Sequence, residues 1–105
     1  MMRQKIMSFD DIVTKTIIDV IRNVFKDDTA EVILEYFKDH NSKKLDERLR
    51  IFTDDLPKIL GTGSVIIEDL ILETLYSKFE SELKWKKDYR FEKYVIELGN
   101  KQGFK

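Results

Sequence analysis

From Phe9 the apolar residues fall at Phe9, Ile12, Val13, Ile17, Val20, Ile21, Val24 and Phe25. This i, i+3, i+4, i+7 spacing places them on one face of a helix, and the strict alternation of a strand is absent. Ser8 precedes the stripe and Asp11 follows three residues later, an acidic variant of the capping box that satisfies free amides at a helix start. A first helix is predicted to open there. Asp27 and Asp28 interrupt the pattern, and Asp28 with Glu31 offers a second box before Ala30, Ile33, Leu34 and Phe37, which predicts a second helix of roughly eleven residues. His40, Asn41 and Ser42 make a polar break, after which Leu45, Leu49 and Phe52 form a shorter stripe. Pro57 cannot donate its amide inside a helix but is tolerated in a first turn. A kink or restart is therefore predicted near Thr53, with Thr53 or Asp54 as cap and a short helix ending at Gly61.

The densest apolar run follows Gly61-Thr62-Gly63-Ser64: nine of the fifteen positions in 65–79 are apolar. On a helical wheel they cover more than the third or so of the circumference expected of a surface helix. Such a helix must be covered on most sides, either as the central helix of the domain or with its second face against another subunit. A last helix over about residues 88–98 carries Phe91, Tyr94, Val95 and Leu98 on one face. The pattern as a whole predicts an all-α fold, a compact bundle of five to six helices with a long, largely buried helix near residues 64–82. A single domain over 9–98 is expected between a flexible leader, 1–8, and a flexible tail, 99–105.

Composition narrows the function more than the fold. At 105 residues the chain suits one modest core. With 42% hydrophobic and 37% charged residues it is too apolar for a disordered chain and too charged for a membrane protein. No run is long enough to span a bilayer and no signal peptide is recognisable, so a cytoplasmic protein without membrane contacts is expected. The absence of cysteine removes disulfides, thiolate metal sites and a cysteine nucleophile, and the single His40 leaves little imidazole chemistry. Abundant Lys, Glu and Ile without Cys fit a heat-adapted source. Net charge is −1, yet it is unevenly spread: residues 54–82 carry −5 and residues 83–105 carry +4.

Each candidate site has a simpler structural explanation. Gly61-Thr62-Gly63-Ser64 has the glycines of a phosphate cradle, but it lacks the Walker lysine and follows a helix rather than a strand. A helix-to-helix corner explains it, with Thr62 or Ser64 capping the next helix. Glu68, Asp69 and Glu73 have carboxylate spacing for a cation, but bundle di-metal sites need Glu-x-x-His, which is missing here. They are read as solvated or ion-paired acids, and Asp54 and Asp55 as helix-start charges. No catalytic, cofactor-binding or metal-ligating residue, no cofactor and no small-molecule substrate is expected. Residues 84–93, KWKKDYRFEK, hold five bases and three aromatics. Lys84, Trp85, Lys86, Lys87, Arg90 and Lys93 form a candidate basic and aromatic surface, with Trp85 half-buried and Phe91 and Tyr94 directed to the core.

The stretch from Leu56-Pro57-Lys58-Ile59-Leu60-Gly61-Thr62-Gly63-Ser64-Val65-Ile66-Ile67-Glu68 to Leu75-Tyr76-Ser77-Lys78 resembles a family of small helical archaeal domains, the Nitrosopumilus output domains. The resemblance covers about residues 9–98 and implies an archaeal cytoplasmic module downstream in signalling, with no catalytic residue to transfer. The expectation is a non-enzymatic helical protein-interaction module. It would self-associate as a homodimer, or bind a protein partner, through Ile66, Leu70, Ile71, Leu75, Tyr76 and Phe79. The alternative is a nucleic-acid-binding protein using residues 84–93, which is less favoured; an enzyme or ligand carrier ranks last for want of a convergent polar set.

Overall fold

The Ser8 hydroxyl accepts the Asp11 backbone amide at 3.1 Å, and α1, Phe9–Val24, starts from this cap. The computed structural model describes residues 8–38 and 44–102, and every regular element among them is a helix. After α1 come α2, Asp27–Lys38; α3, Leu45–Leu60; α4, Gly63–Lys78; and α5, Phe91–Lys101. Asp28 lies in the first turn of α2 rather than before it, where its charge complements the free amides of the helix start. The Phe37 side chain and the break at His40, Asn41 and Ser42 lie outside the described residues, as do most of the leader and the last three residues of the tail.

The predicted restart near Thr53 does not occur, and α3 runs unbroken through Pro57. Pro57 forfeits one amide hydrogen bond and stays on the exposed side, while Phe52 and Leu56 anchor the opposite face in the core. The Thr53 hydroxyl donates to the Leu49 carbonyl at 2.8 Å inside the helix, so it caps nothing. Gly61, at φ +60°, ends α3 in the region that favours glycine, and its amide donates to the Pro57 carbonyl at 2.7 Å. No hydroxyl caps α4, whose N-cap Thr62 makes no side-chain bond there.

α4 ends at Lys78, short of the predicted 82, in a six-residue turn. The Ser81 amide donates back to the Tyr76 carbonyl at 3.0 Å and the Glu80 amide to the Ser77 carbonyl at 3.0 Å, with Glu80 at φ 52°. This is a Schellman stop made without the usual glycine. α5 extends past the predicted 98: Gly99 is not tail but buried helix, where an added Cβ would stand 2.8 Å from Phe9 Cε2. The missing side chain is what lets α5 approach the start of α1.

One core joins all five helices, with Val13, Ile17 and Ile21 from α1, Ile33 and Leu34 from α2, Leu49 and Leu56 from α3, Ile71 and Leu75 from α4, and Val95 and Leu98 from α5. α4 packs against α1, α3 and α5, which makes it a central element of the bundle. Polar groups tie the layers together. The nearly buried Arg48 guanidinium on α3 donates to Asp10 at 2.9 Å and Thr14 at 3.1 Å on α1, and Lys78 donates to the Thr16 hydroxyl at 2.8 Å. Among the described residues no helix is long and apolar enough to cross a membrane.

Candidate functional site

Residues 79–90 leave α4 and return to α5 without a helix of their own, and tyrosines fix their path. The Tyr94 hydroxyl on α5 accepts the Lys86 amide at 2.6 Å and donates to the Lys86 carbonyl at 3.0 Å. Both backbone groups of one loop residue are thus held by a single buried side chain. The Tyr76 hydroxyl on α4 donates to the Tyr94 carbonyl at 2.7 Å, and its burial pushes its pKa up to about 12. Trp85 and Tyr89 both meet the Tyr94 ring edge-on, at 5.6 and 4.8 Å between centroids. Asp88, at φ 64°, turns the chain between them, a conformation that aspartate tolerates better than most residues.

The return of this segment over α3 and α4 leaves an open cleft of about 590 Å³. Its lining is aromatic where the returning segment and α5 contribute Trp85, Tyr89, Phe91 and Tyr94, while α3 adds Asp54 and Pro57, and α4 adds Val65, Glu68, Asp69 and Leu72. Its cations are already engaged. Arg90 donates to Asp54 at 2.8 Å and lies 3.0 Å from Glu92, while Lys86 donates to both oxygens of Glu97 at 3.0 and 3.1 Å and sits 4.8 Å from the centre of the Tyr89 ring. The bond to Asp54 raises the Arg90 pKa and the bond to Glu97 that of Lys86, while the Lys86 ammonium and then the Tyr89 hydroxyl, at 2.9 Å, keep the Glu97 carboxyl below the usual range.

Glu68 and Asp69 are different. Among the described side chains neither has a hydrogen-bond or ion-pair partner, and both are half-buried. Desolvation, then the neighbouring Asp69 charge, push the Glu68 carboxyl up to about 7, and the more distant Arg90 charge only partly offsets this. The cleft therefore contains an uncompensated acidic pair facing an aromatic wall. A carboxyl poised near neutrality suits proton transfer. However, the Thr53 hydroxyl is committed to Leu49, and among the described residues no histidine or cysteine lines the cleft. Among the described residues no group of three His, Cys, Asp or Glu side chains is placed to hold a metal ion.

The residues singled out for self-association separate into two sets. Ile66 and Leu70 stand in solvent, 64% and 37% exposed, beside Val65 at 57%. Ile71, Leu75 and Tyr76 are covered by their own chain, so these three cannot serve as an outer contact, and Phe79 is partly buried with its ring 5.8 Å from that of Phe9. On the basic segment Lys84, Trp85, Lys86, Lys87, Arg90 and Lys93 are all exposed, whereas Phe91 and Tyr94 enter the core as predicted. The charges on this surface are largely internal pairs: Lys84 lies 3.9 Å from Glu82, Lys86 and Arg90 are bound as above, and Lys93 sits 5.9 Å from the Tyr89 ring centre.

The sequence shows no convergent polar set; the fold assembles one in this cleft. The linear pattern groups Glu68 with Glu73 as a solvated acid, but of the two only Glu73 is exposed. The spacing contains the distinction, since Glu68 lies four residues after buried Ser64 and four before buried Leu72, on the core face of α4. Compared with known proteins, the chain matches no family model, no curated protein and no solved structure.

Proposed function

We propose that the protein is a non-enzymatic helical interaction module that self-associates weakly through the outer strip of α4. The observation that carries this reading is the exposure of Val65, Ile66 and Leu70 on the helix whose other side forms the core. Charge complementarity favours a second copy as the occupant. An antiparallel two-fold contact centred midway between Ile66 and Leu70 would set Glu73 of each copy beside residue 63 of the other. There α4 begins with no acid in its first turn and no side-chain cap, so the partner's carboxylate would complement the positive helix end. Three exposed apolar residues are few against the roughly 20–30 per side of a standard stable interface, so the contact is transient.

The resemblance of the Leu56-to-Lys78 stretch to output domains supports an adaptor in an archaeal signalling chain, working in the cytoplasm. Nucleic-acid binding by residues 84–93 is the weaker reading, because Lys84, Lys86 and Arg90 already face carboxylates of the same chain. Size exclusion coupled to light scattering tests the proposal. Dimer should accumulate reversibly at protein concentrations on the order of 10⁻⁴ M, and Ile66→Lys should leave a monomer with an unchanged melting temperature. A wild-type chain that stays monomeric at millimolar concentration would rule self-association out.

A further inference from the structure

We infer that the cleft beside α4 is a binding site for an organic cation, an ammonium carried on an aliphatic stem, whose charge is received by Glu68 and Asp69 and whose stem lies along Trp85. Three features of the structure converge on that chemistry. First, the cleft, at about 590 Å³, is within the size range of small-ligand sites and is open enough to admit a chain end. Second, its unanswered charge is negative: Arg90 and Lys86 are bound to Asp54, Glu92 and Glu97, which leaves the carboxylates of Glu68 and Asp69 as the only lining charges without a partner among the described side chains. An anion would have to displace an existing ion pair. A cation would not.

Third, the aromatic wall is braced by contacts within the chain. Trp85 keeps 53% of its surface exposed although it packs at a T-shaped angle against Tyr94, and Tyr94 in turn holds both backbone groups of Lys86. An exposed indole that is already oriented costs little to order on binding, and its face attracts a cation. The combination of an indole face with desolvated carboxylates is the one that favours an alkylammonium over a hydrated inorganic ion, which would seek several oxygen ligands and gain nothing from the ring. The cleft shares Val65 with the α4 outer strip, but Glu68, Asp69 and Trp85 lie outside that strip, so the emission of Trp85 tests the cleft whether or not the chain self-associates.

Trp85 is the chain's single tryptophan, so its fluorescence reports the cleft directly. Two probes separate the sources of the ammonium: cadaverine, which is lysine without its carboxylate and has an amine at each end, and a blocked Gly-Lys-Gly peptide; 1-pentanol serves as the neutral control. At pH 8 a saturable change in Trp85 emission is expected with one or both amines and not with the alcohol. A response to cadaverine alone assigns a free amine, and a response to the peptide assigns a lysine-bearing segment. The groups facing Glu68 are Asp54 on α3, Asp69 on α4, Lys86, Tyr89 and Arg90 on the returning segment, and Tyr94 on α5. With Glu68 titrating at about 7, affinity should fall about ten-fold from pH 8 to pH 6. Glu68→Gln should abolish both the binding and its pH dependence while keeping the helical circular dichroism. No saturable response to either amine at 50 mM, or an equal response from 1-pentanol or from folded Glu68→Gln, would overturn the inference.

Discussion

Replacing Glu68 with glutamine should make the protein more stable at neutral and alkaline pH, and the size of the gain follows from its surroundings. In the folded chain the carboxyl holds its proton up to about pH 7, whereas unfolding returns it to the ordinary 4.5. Between those values the unfolded chain releases a proton that the folded chain retains. Stability therefore falls as pH rises through the window 4.5 to 7 and then levels off. A ten-fold change in proton affinity corresponds to about 1.4 kcal/mol, so the full penalty is about 3 kcal/mol, reduced to about 2 by the solvent that reaches the half-buried group. Glutamine has nearly the same shape and no charge to desolvate. Urea denaturation of both proteins at pH 5, 6, 7 and 8 isolates the effect, because the two chains differ at this position alone. The stability difference should widen in favour of Glu68→Gln by about 2 kcal/mol from pH 5 to pH 8, equivalent to a melting shift of about 8 °C or more in a domain of this size. A difference that stays constant with pH, or one that favours the wild type at pH 8, would refute the account of a carboxylate held without a counter-charge.

Substitutions at two further positions test the packing of α5 and the stop of α4. Gly99→Ala gains about 1 kcal/mol in helix propensity, but its Cβ meets Phe9 Cε2 at 2.8 Å and two further ring atoms at 3.1 Å. The Phe9 ring is itself wedged against Phe79, so a net loss of about 1–2 kcal/mol in urea unfolding is expected, and an unchanged midpoint would contradict this contact. Glu80→Gly removes the side chain from the left-handed position that stops α4 and should raise stability by about 1 kcal/mol, whereas Glu80→Ala should not; equal effects would show that φ at this position is not the cause.

The helices are legible in the sequence because their signals are local. Ser8 and Asp11 define the start of α1, and Gly61 defines the corner between α3 and α4; both rest on residues within four positions of each other. The pattern misleads where tertiary contacts override a local rule. Pro57 suggests a break, but burial of Phe52 and Leu56 on one face outweighs a single missing hydrogen bond. Gly99 looks like the start of a frayed tail because glycine is a poor helix former. Its actual role, making room for the Phe9 ring ninety residues earlier, has no trace in the neighbouring sequence. The apolar pattern carries α4 past its true end because Glu80 occupies the stop position where glycine would have announced it.

The candidate site divides along the same line. That Glu68 is not an ordinary surface acid follows from spacing alone, since positions 64, 68 and 72 share the face that 71 and 75 carry into the core. An acid on that face must be compensated, neutralised or left at a cost. Which of these applies depends on where the basic segment goes, and here charge arithmetic misleads: an acidic stretch followed by a basic one suggests mutual pairing. Pairing does occur, but selectively. Arg90 takes Asp54 and Glu92, and Lys86 is drawn to Glu97 on α5 because the Tyr94 hydroxyl fixes its backbone beside that helix. With both cations bound elsewhere, the acids on the core face of α4 remain unanswered, and the same tyrosine that keeps Lys86 away holds Trp85 beside them. The cleft's negative charge and its aromatic wall thus share one cause, the grip of Tyr94 on residues 85–86, which brings both to the lining of a single cleft.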